Sequence, residues 1–500
     1  MHSKDLPVEL WREITSYLPR STLYRLMGIN RTLFNLAMDD FYREIRFISD
    51  DVRTRELLKS TIEPQNAARV RKLLIRPDFL PGLDEAYAHG MLDRWIWGLR
   101  SSKDDATFLA AVSAIRPCSK IREVKVVLHD HRFTPSFGRF LLSVWQISLG
   151  TRLHTLSIDT TWIKIPRFLQ PLLELSETLT NLQEFTLEVS PSRVGHGEAS
   201  TEVTVRSLLS FLRALSGQLT ALRLSSPYFK EIAISLDTIP HFPKLERLEI
   251  FAFFGEGPQQ FKCLTRFIAS HEHTLRYFLL KPQPRYYLGK VAHQEYSAWL
   301  NPQTHDEELK AFAKPLYKLE TLHLGLCDGP EDQNFFASED SLTPRVVPNL
   351  STFVPNITSL VLTCLPLTLD RISHLIDGLP EDSAGRRQLR SLRATLLFTD
   401  ALSASLFDMF ALRLDSLKSL AITYCRPYGV DALSLDFEAI EEAFYREMEE
   451  KRYDGWELDV LRLTKPEACP TPHPDMTLME AVATSFRRKP QLDHSYICSC

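Results

Sequence analysis

Residue types able to do bond chemistry are present in this chain but are not arranged for it. His271 and His273 flank Glu272 in the stretch ASHEHTL, a spacing that could offer two imidazoles to a metal ion. In that context the three read as a solvated helix end. Cys469 and His473 have near-ligand spacing, yet no second pair completes a tetrahedral zinc site, so KPEACPTPHPD reads as a proline-spaced connector. Glycine is scarce at 18 residues, and no phosphate-cradling G-x-x-x-x-G-K or G-x-G-x-x-G turn occurs. The scattered Ser, Cys and His form no legible nucleophile–base arrangement. The closing Cys498-Ser499-Cys500 does not fit the C-a-a-X signal, because Ile497 stands where that signal has cysteine. The expectation is a protein with no catalytic residue, no cofactor and no metal site, which acts by recognition.

Recognition needs elements that present side chains, and the first such element is the stretch from Leu6 to Ala37. Pro7 stands at a helix start, where a missing N–H costs nothing. Leu10, Ile14 and Leu18 recur at four-residue steps beside Trp11, giving one apolar stripe. Pro19 stops that helix, and Ser21 is placed to cap a second helix carrying Leu23, Leu26 and Met27. Gly28 ends it, and Asn30 can cap a third helix bearing Leu33, Phe34 and Ala37. So small a bundle cannot bury all this apolar surface internally. The rest of the chain or a partner must cover part of it.

Leu6-Pro7, Glu9-Leu10, Ile14, Leu18, Leu23, Leu26, Ile29-Asn30-Arg31 and Phe34 together resemble the F-box. Phe34 departs from the family pattern, standing near a place where the family often has Trp. The resemblance implies that residues 1–45 dock on a Skp-type adaptor and, through it, a cullin–RING ubiquitin ligase. The implied contacts are Leu6, Pro7, Leu10, Ile14, Leu18, Leu23, Leu26, Ile29 and Phe34. A plain three-helix cap on a larger fold is the other reading of the same residues.

Behind this stretch lies a repeat array. A pattern of apolar, two residues, apolar, one residue, apolar returns twelve times at intervals of 26 to 51 residues. It begins with Val70-Leu73-Ile75, Ile121-Val124-Val126, Leu153-Leu156-Ile158 and Leu182-Phe185-Leu187. Leu219-Leu222-Leu224, Leu245-Leu248-Ile250, Leu275-Phe278-Leu280 and Leu319-Leu322-Leu324 follow. Ile357-Leu360-Leu362, Leu389-Leu392-Ala394, Leu417-Leu420-Ile422 and Leu458-Leu461-Leu463 complete the set. The last two apolar residues of each copy are two apart and share one face of a short strand. Segments of helical period lie between copies, including Phe137 to Val144, Leu208 to Leu215, Leu309 to Leu316 and Phe437 to Phe444. Strand then helix, repeated, predicts parallel strands on one face and helices on the other.

This array resembles an irregular leucine-rich-repeat solenoid over residues 46–465, of about twelve units. Cys327 and Cys425, three residues after the last apolar position, match the cysteine-containing class of these repeats. The Asn usual at that place is missing. The resulting fold class is α/β: a three-helix F-box, then a solenoid with a concave face of parallel strands and a convex face of helices. Ile45-Arg46-Phe47 is a candidate leading strand, and Met476 through Phe486 a closing helix within a C-terminal part spanning 466–500.

Composition agrees with a soluble globular protein, at 44% hydrophobic and 24% charged residues. A net charge of −4 gives no reason to expect nucleic acid or an anionic membrane as partner. No run approaches eighteen apolar residues, and MHSKDLPVEL has no signal-peptide character. Eight scattered cysteines read as free thiols in a reducing compartment, so the expected location is cytoplasmic, nuclear or both. A target protein would meet strand positions facing away from the core and aromatics near them: Arg223, Phe251, Phe253, Tyr277, Tyr286, Tyr287, Trp299, His323 and Arg393. The function implied is that of a non-catalytic substrate receptor in a Skp–cullin–F-box ubiquitin ligase. A ligase-independent repeat scaffold is the alternative.

Overall fold

A computed structural model describes residues 6–49, 51–79, 109–129, 131, 133–148, 153–175, 177, 179–190, 198–226, 231–254, 258–283, 296, 298–300, 306, 314–325, 350–351, 353–425, 436–465 and 475–493. The chain divides into two compact units, Met1–Leu219 and Thr220–Cys500.

The first unit opens with three helices, α1 (Val8–Ser16), α2 (Arg20–Leu26) and α3 (Arg31–Tyr42). Pro7 sits at the N-cap of α1, one position earlier than a first-turn proline. Asn30 caps α3 as its type predicts, its Oδ1 accepting the Leu33 N–H at 2.8 Å. Ser21 does not cap α2. That helix starts two residues sooner, at Arg20, because Pro19 takes the N-cap with φ −56° and its carbonyl accepts the N–H groups of Thr22 and Leu23. Leu23, Leu33 and Ala37 form the bundle's own small core, with Trp11, Tyr24 and Leu26 packed against it.

Five strands follow in the same unit: β1 (Glu44–Phe47), β2 (Lys72–Ile75), β3 (Glu123–His129), β4 (Thr155–Thr161) and β5 (Glu184–Ser190). They pair in chain order and are all parallel. The second unit carries β6 (Ala221–Ser226), β7 (Arg247–Phe253), β8 (Tyr277–Gln283), β9 (Thr321–Gly325), β10 (Ser359–Leu367), β11 (Ser391–Leu397), β12 (Ser419–Cys425), β13 (Val460–Thr464) and β14 (Gln491–Leu492), again parallel and in chain order.

All twelve sequence copies become strands, and their register matches. Leu222, Leu248, Phe278, Leu322, Leu360, Leu392, Leu420 and Leu461 are successive partners across the second unit. Each of these side chains is essentially fully buried. In the first unit, helices such as Pro135–Ser148 and Glu198–Ala214 cover the inward strand residues, as the edge-on ring pairs Phe47–Phe140 and Phe185–Phe211 show. Each crossover also fixes register through a shared acceptor. The Glu246 carbonyl takes the N–H groups of Arg276 and Tyr277 at 2.8 and 2.9 Å, the Arg276 carbonyl those of Glu320 and Thr321, and the Glu320 carbonyl those of Thr358 and Ser359. One backbone oxygen per repeat thus satisfies two donors that would otherwise be orphaned at the strand start.

The array admits elements that the residue pattern did not single out. The helix Ile165–Glu174 contains Pro171, which the pattern would read as a breaker, yet Ile165, Phe168, Leu169 and Leu172 are fully buried and hold it. Gly325 ends β9 where any Cβ would come within 2.5 Å of the Thr363 carbonyl oxygen, so this close approach of two strands requires glycine.

Candidate functional site

The N-terminal helices turn two apolar stripes outward. On α1, Leu10 and Ile14 share one face at a four-residue step and are each 44% exposed, and Leu6, just before the helix, is 37% exposed. On α3, Phe34 and Phe41 lie seven residues apart on the flank adjoining Leu33 and Ala37, and both are exposed. Met27 and Ile29, between α2 and α3, are exposed as well. Among the described residues, nine of the seventeen exposed large apolar side chains fall between Leu6 and Phe41. Such clustering, as opposed to single scattered exposure, marks a surface that another body covers.

The bundle's other side is tied down. Arg69 donates to the Asn35 carbonyl at 3.0 Å and to Asn35 Oδ1 at 3.1 Å, and it pairs with Asp39. Tyr24 Oη donates to Asp40 at 2.9 Å, and burial followed by this bond raises its pKa. Of the nine residues expected at the adaptor, Leu6, Pro7, Leu10, Ile14, Ile29 and Phe34 are exposed, while Leu18 and Leu26 are half-buried. Leu23 belongs to the bundle core, because α2 turns it against Leu33 and Ala37. Val8, Tyr17, Met27 and Phe41 join the outward set. The seven-residue step from Phe34 was the legible signal for Phe41.

On the second unit, the expected target-binding residues separate into two groups. Arg223, Phe251, Tyr277, His323 and Arg393 lie on the strand face turned away from the core, and each is at least partly exposed. Phe253 and Trp299 do not. Trp299 is fully buried, donating from Nε1 to Thr265 Oγ1 at 3.0 Å and packing on Phe261 and Tyr296. Phe254 stacks on Phe261 with centroids 4.5 Å apart, and Phe253 beside it is 7% exposed. Phe254, Phe261, Tyr296 and Trp299 form an inward satellite core with the helix Gln259–Ala269, whereas Phe253 is buried at the end of β7. Tyr286 and Tyr287 lie outside the described residues, as do Cys327, Cys469 and His473.

The outward face is built around a buried carboxylate. Glu249 is 3% exposed and accepts from Arg223 Nη1 at 3.1 Å and from Arg247 Nε at 2.7 Å. Each guanidinium also stands over a ring, Arg223 over Phe251 and Arg247 over Tyr277, both with Cζ 4.6 Å from the centroid. Lys281 Nζ stands 5.7 Å from the Phe251 centroid. His323 Nε2 is 3.0 Å from Thr363 Oγ1, and burial, then the charges of Lys281 and Arg393, pull its pKa down to about 3.

Two clusters contain residue types suited to bond chemistry. At the ends of β3, β4 and β5, Ser190 Oγ donates to Asp159 Oδ1 at 3.0 Å. His129 Nδ1 lies 3.2 Å from that same carboxylate oxygen and 3.3 Å from Ser190 Oγ. A nucleophile relay requires the imidazole to bridge, one nitrogen to the acid and the other to the hydroxyl. Here serine and aspartate crowd one nitrogen and the serine proton goes to aspartate, so the trio braces three strand ends. These residues are about thirty positions apart in sequence, and no local signal joins them.

His271 corrects the reading of a solvated helix end. It is fully buried, its Nε2 accepting the Phe242 N–H at 3.0 Å, while His273 remains exposed. Among the described residues no group of three or more His, Cys, Asp or Glu could hold a metal ion, and no helix is long and apolar enough to cross a membrane.

The described residues define an α/β repeat protein of parallel strands, consistent with a solenoid-like array, with a three-helix element that presents apolar side chains. No protein-family model matches the chain, and no curated protein matches it in sequence. Among solved structures it is similar to a crystal structure of the Rad7 and Elc1 complex in yeast, at 12% identity, with 78% of each chain covered and a TM-score of 0.35. A likeness at that level carries no argument about fold or function.

Proposed function

We infer that this chain is the substrate-receptor subunit of a Skp–cullin–F-box ubiquitin ligase. In this reading residues 1–45 are the F-box, 46–465 the leucine-rich-repeat solenoid, and 466–500 a connector with a closing helix and tail. The observation that carries the reading is the concentration of outward apolar side chains on α1 to α3, in a bundle that already has a core of its own. Leu6, Pro7, Leu10, Ile14, Ile29 and Phe34 meet the Skp-type adaptor, with Leu18 and Leu26 at the margin. A partner that covered the exposed part of one such side chain, less than half of Leu10, Ile14 or Phe34, would gain about 1 kcal/mol before ordering costs.

The chain makes and breaks no bond itself. Its mechanism is proximity: the bundle fixes the receptor to the ligase, and the repeat units hold a target where ubiquitin transfer can reach it. The working compartment is the cytoplasm, the nucleus or both. The test is co-purification of the full chain with a Skp-type adaptor at micromolar concentration, followed by addition of cullin. A stable, folded chain that leaves the adaptor behind removes the reading. An adaptor complex that fails to capture cullin favours the ligase-independent scaffold.

A further inference from the structure

The ends of β3, β4 and β5 hold a buried carboxylate that the fold engages through one oxygen only. Asp159 is 8% exposed, and its Oδ1 takes both contacts, the Ser190 hydroxyl at 3.0 Å and His129 Nδ1 at 3.2 Å. Its Oδ2 accepts no hydrogen bond among the described residues. Two residues on, Thr161 is in register with Ser190 and lies on the same strand face as Asp159. It is 1% exposed, and its Oγ1 also has no hydrogen-bond partner among the described residues. Leaving a buried hydroxyl unpaired is unfavourable, and beside a half-engaged carboxylate it calls for a donor that carries positive charge. Lys164, the cation on the following turn, is engaged elsewhere, donating to the His129 and His131 carbonyls at 2.8 and 2.7 Å.

We propose that Asp159 Oδ2 and Thr161 Oγ1 bind the primary ammonium group of a lysine side chain in a bound protein segment. For the source of that lysine, a target protein, the proposal rests on the receptor reading. Same-face neighbours on a strand have Cα atoms about 6.6 Å apart, and one ammonium with hydrogen bonds of about 2.8 Å joins oxygens up to about 5.6 Å apart. Its three N–H donors on a compact head suit two acceptors at such positions. A guanidinium fits less well, because its fork takes both oxygens of a carboxylate and Oδ1 is already occupied. A metal ion would need further ligands, and among the described residues no group of three His, Cys, Asp or Glu could supply them. Access is narrow but open, since the Asp159 side chain keeps 11% exposure and the His129 side chain beside it 49%. Burial pushes the Asp159 carboxyl above the usual carboxylate range, His129, Ser190 and Lys125 draw it back, and Glu188 opposes them. An ammonium on Oδ2 offsets that lost solvation.

The experiment records saturation-transfer NMR on the full chain with Nα-acetyl-lysine methylamide, beside its Nε-acetyl, norleucine and arginine counterparts and putrescine. The lysine probe binds saturably. The Nε-acetyl and norleucine probes, which keep the stem and lose the charge, do not bind, and the arginine probe binds about threefold more weakly. Asp159→Asn weakens lysine binding about tenfold, Thr161→Val about threefold, and Glu184→Gln, elsewhere on the same strand face, less than about twofold. Thr161→Val removes a hydroxyl that makes no bond in the folded chain, so the melting temperature does not fall. Should circular dichroism show Asp159→Asn unfolded, Thr161→Val alone is read. Absence of lysine binding, equal binding of the norleucine probe, or unchanged affinity in folded Thr161→Val overturns the proposal. Putrescine binding at least as tightly as the lysine probe, which would make a free amine the ligand, overturns it too. Adaptor capture is measured on the same samples. Adaptor retained without lysine binding removes this proposal alone, and lysine binding without adaptor removes the ligase reading alone.

Discussion

His271 accepts a backbone N–H at Nε2 and sits 2.8 Å from the Phe267 carbonyl at Nδ1, so the folded protein holds it neutral. Burial, with the neighbouring His241 adding to it, lowers its pKa to about 4, against 6.5 for a free imidazole. Between those values the unfolded chain binds a proton that the folded chain does not. Stability therefore falls as pH drops through this window and levels off below it. The expected loss from pH 7 to pH 5 is about 2 kcal/mol from this one group, visible as a lower urea midpoint. His271→Gln should flatten that pH profile. His323, displaced in the same direction, adds to the effect. Glu249 makes the complementary prediction. Glu249→Gln leaves Arg223 and Arg247 facing each other without their shared carboxylate, and should cost about 1–3 kcal/mol in urea denaturation. The outward strand position of Glu249 beside Arg247 follows from the repeat pattern, but its burial and its bond to Arg223 do not. His271 in ASHEHTL reads as polar helix end, and only Phe242, twenty-nine positions away, brings it inside.

At the scale of elements, the three helices are the most legible part and the least settled by their own pattern. Leu23, Leu33 and Ala37 on one side, and Leu10, Ile14 and Phe34 on the other, carry the same apolar period. Which side is core depends on how the helices pack. Two substitutions separate them. Ile14→Asp on the outward stripe should abolish adaptor binding while the melting profile stays unchanged, whereas Leu33→Asp should unfold α1 to α3. Simultaneous loss of folding and binding in Ile14→Asp would instead make the bundle a structural cap. Asn30→Ala, removing the α3 cap, should cost about 1 kcal/mol, read as faster amide exchange in α3. The twelve repeat strands were legible because two buried residues spaced by one exposed residue have few other solutions, whereas β14, in the part read as connector, helix and tail, has no such pair. Ile165–Glu174 was not, since Pro171 carries a local penalty that buried neighbours outweigh.

For the whole molecule, each repeat buries its apolar pair against the next, and stability is a sum over neighbouring rungs. Leu322→Ala in β9 removes a fully buried side chain flanked by Phe278 and Leu360 and should cost about 2–5 kcal/mol. Leu156→Ala in β4 should cost a similar amount in the first unit. The two sites belong to separate compact units and share no partner, so the double variant should show additive losses by chemical denaturation.

The sequence by itself determined the twelve repeat strands, their buried pairs and their parallel stacking, but not the closing strand β14. Each repeat states its own inward residues, and a helical crossover permits only parallel neighbours. It also determined that α1 to α3 carry more apolar surface than they can bury. Tertiary structure decided the rest. It chose the outward side of the bundle, drew Phe253, Trp299 and His271 inward, and set Glu249 between two arginines from adjacent strands. These outcomes depend on residues brought together by register across twenty to forty positions of chain, and that proximity has no local signature.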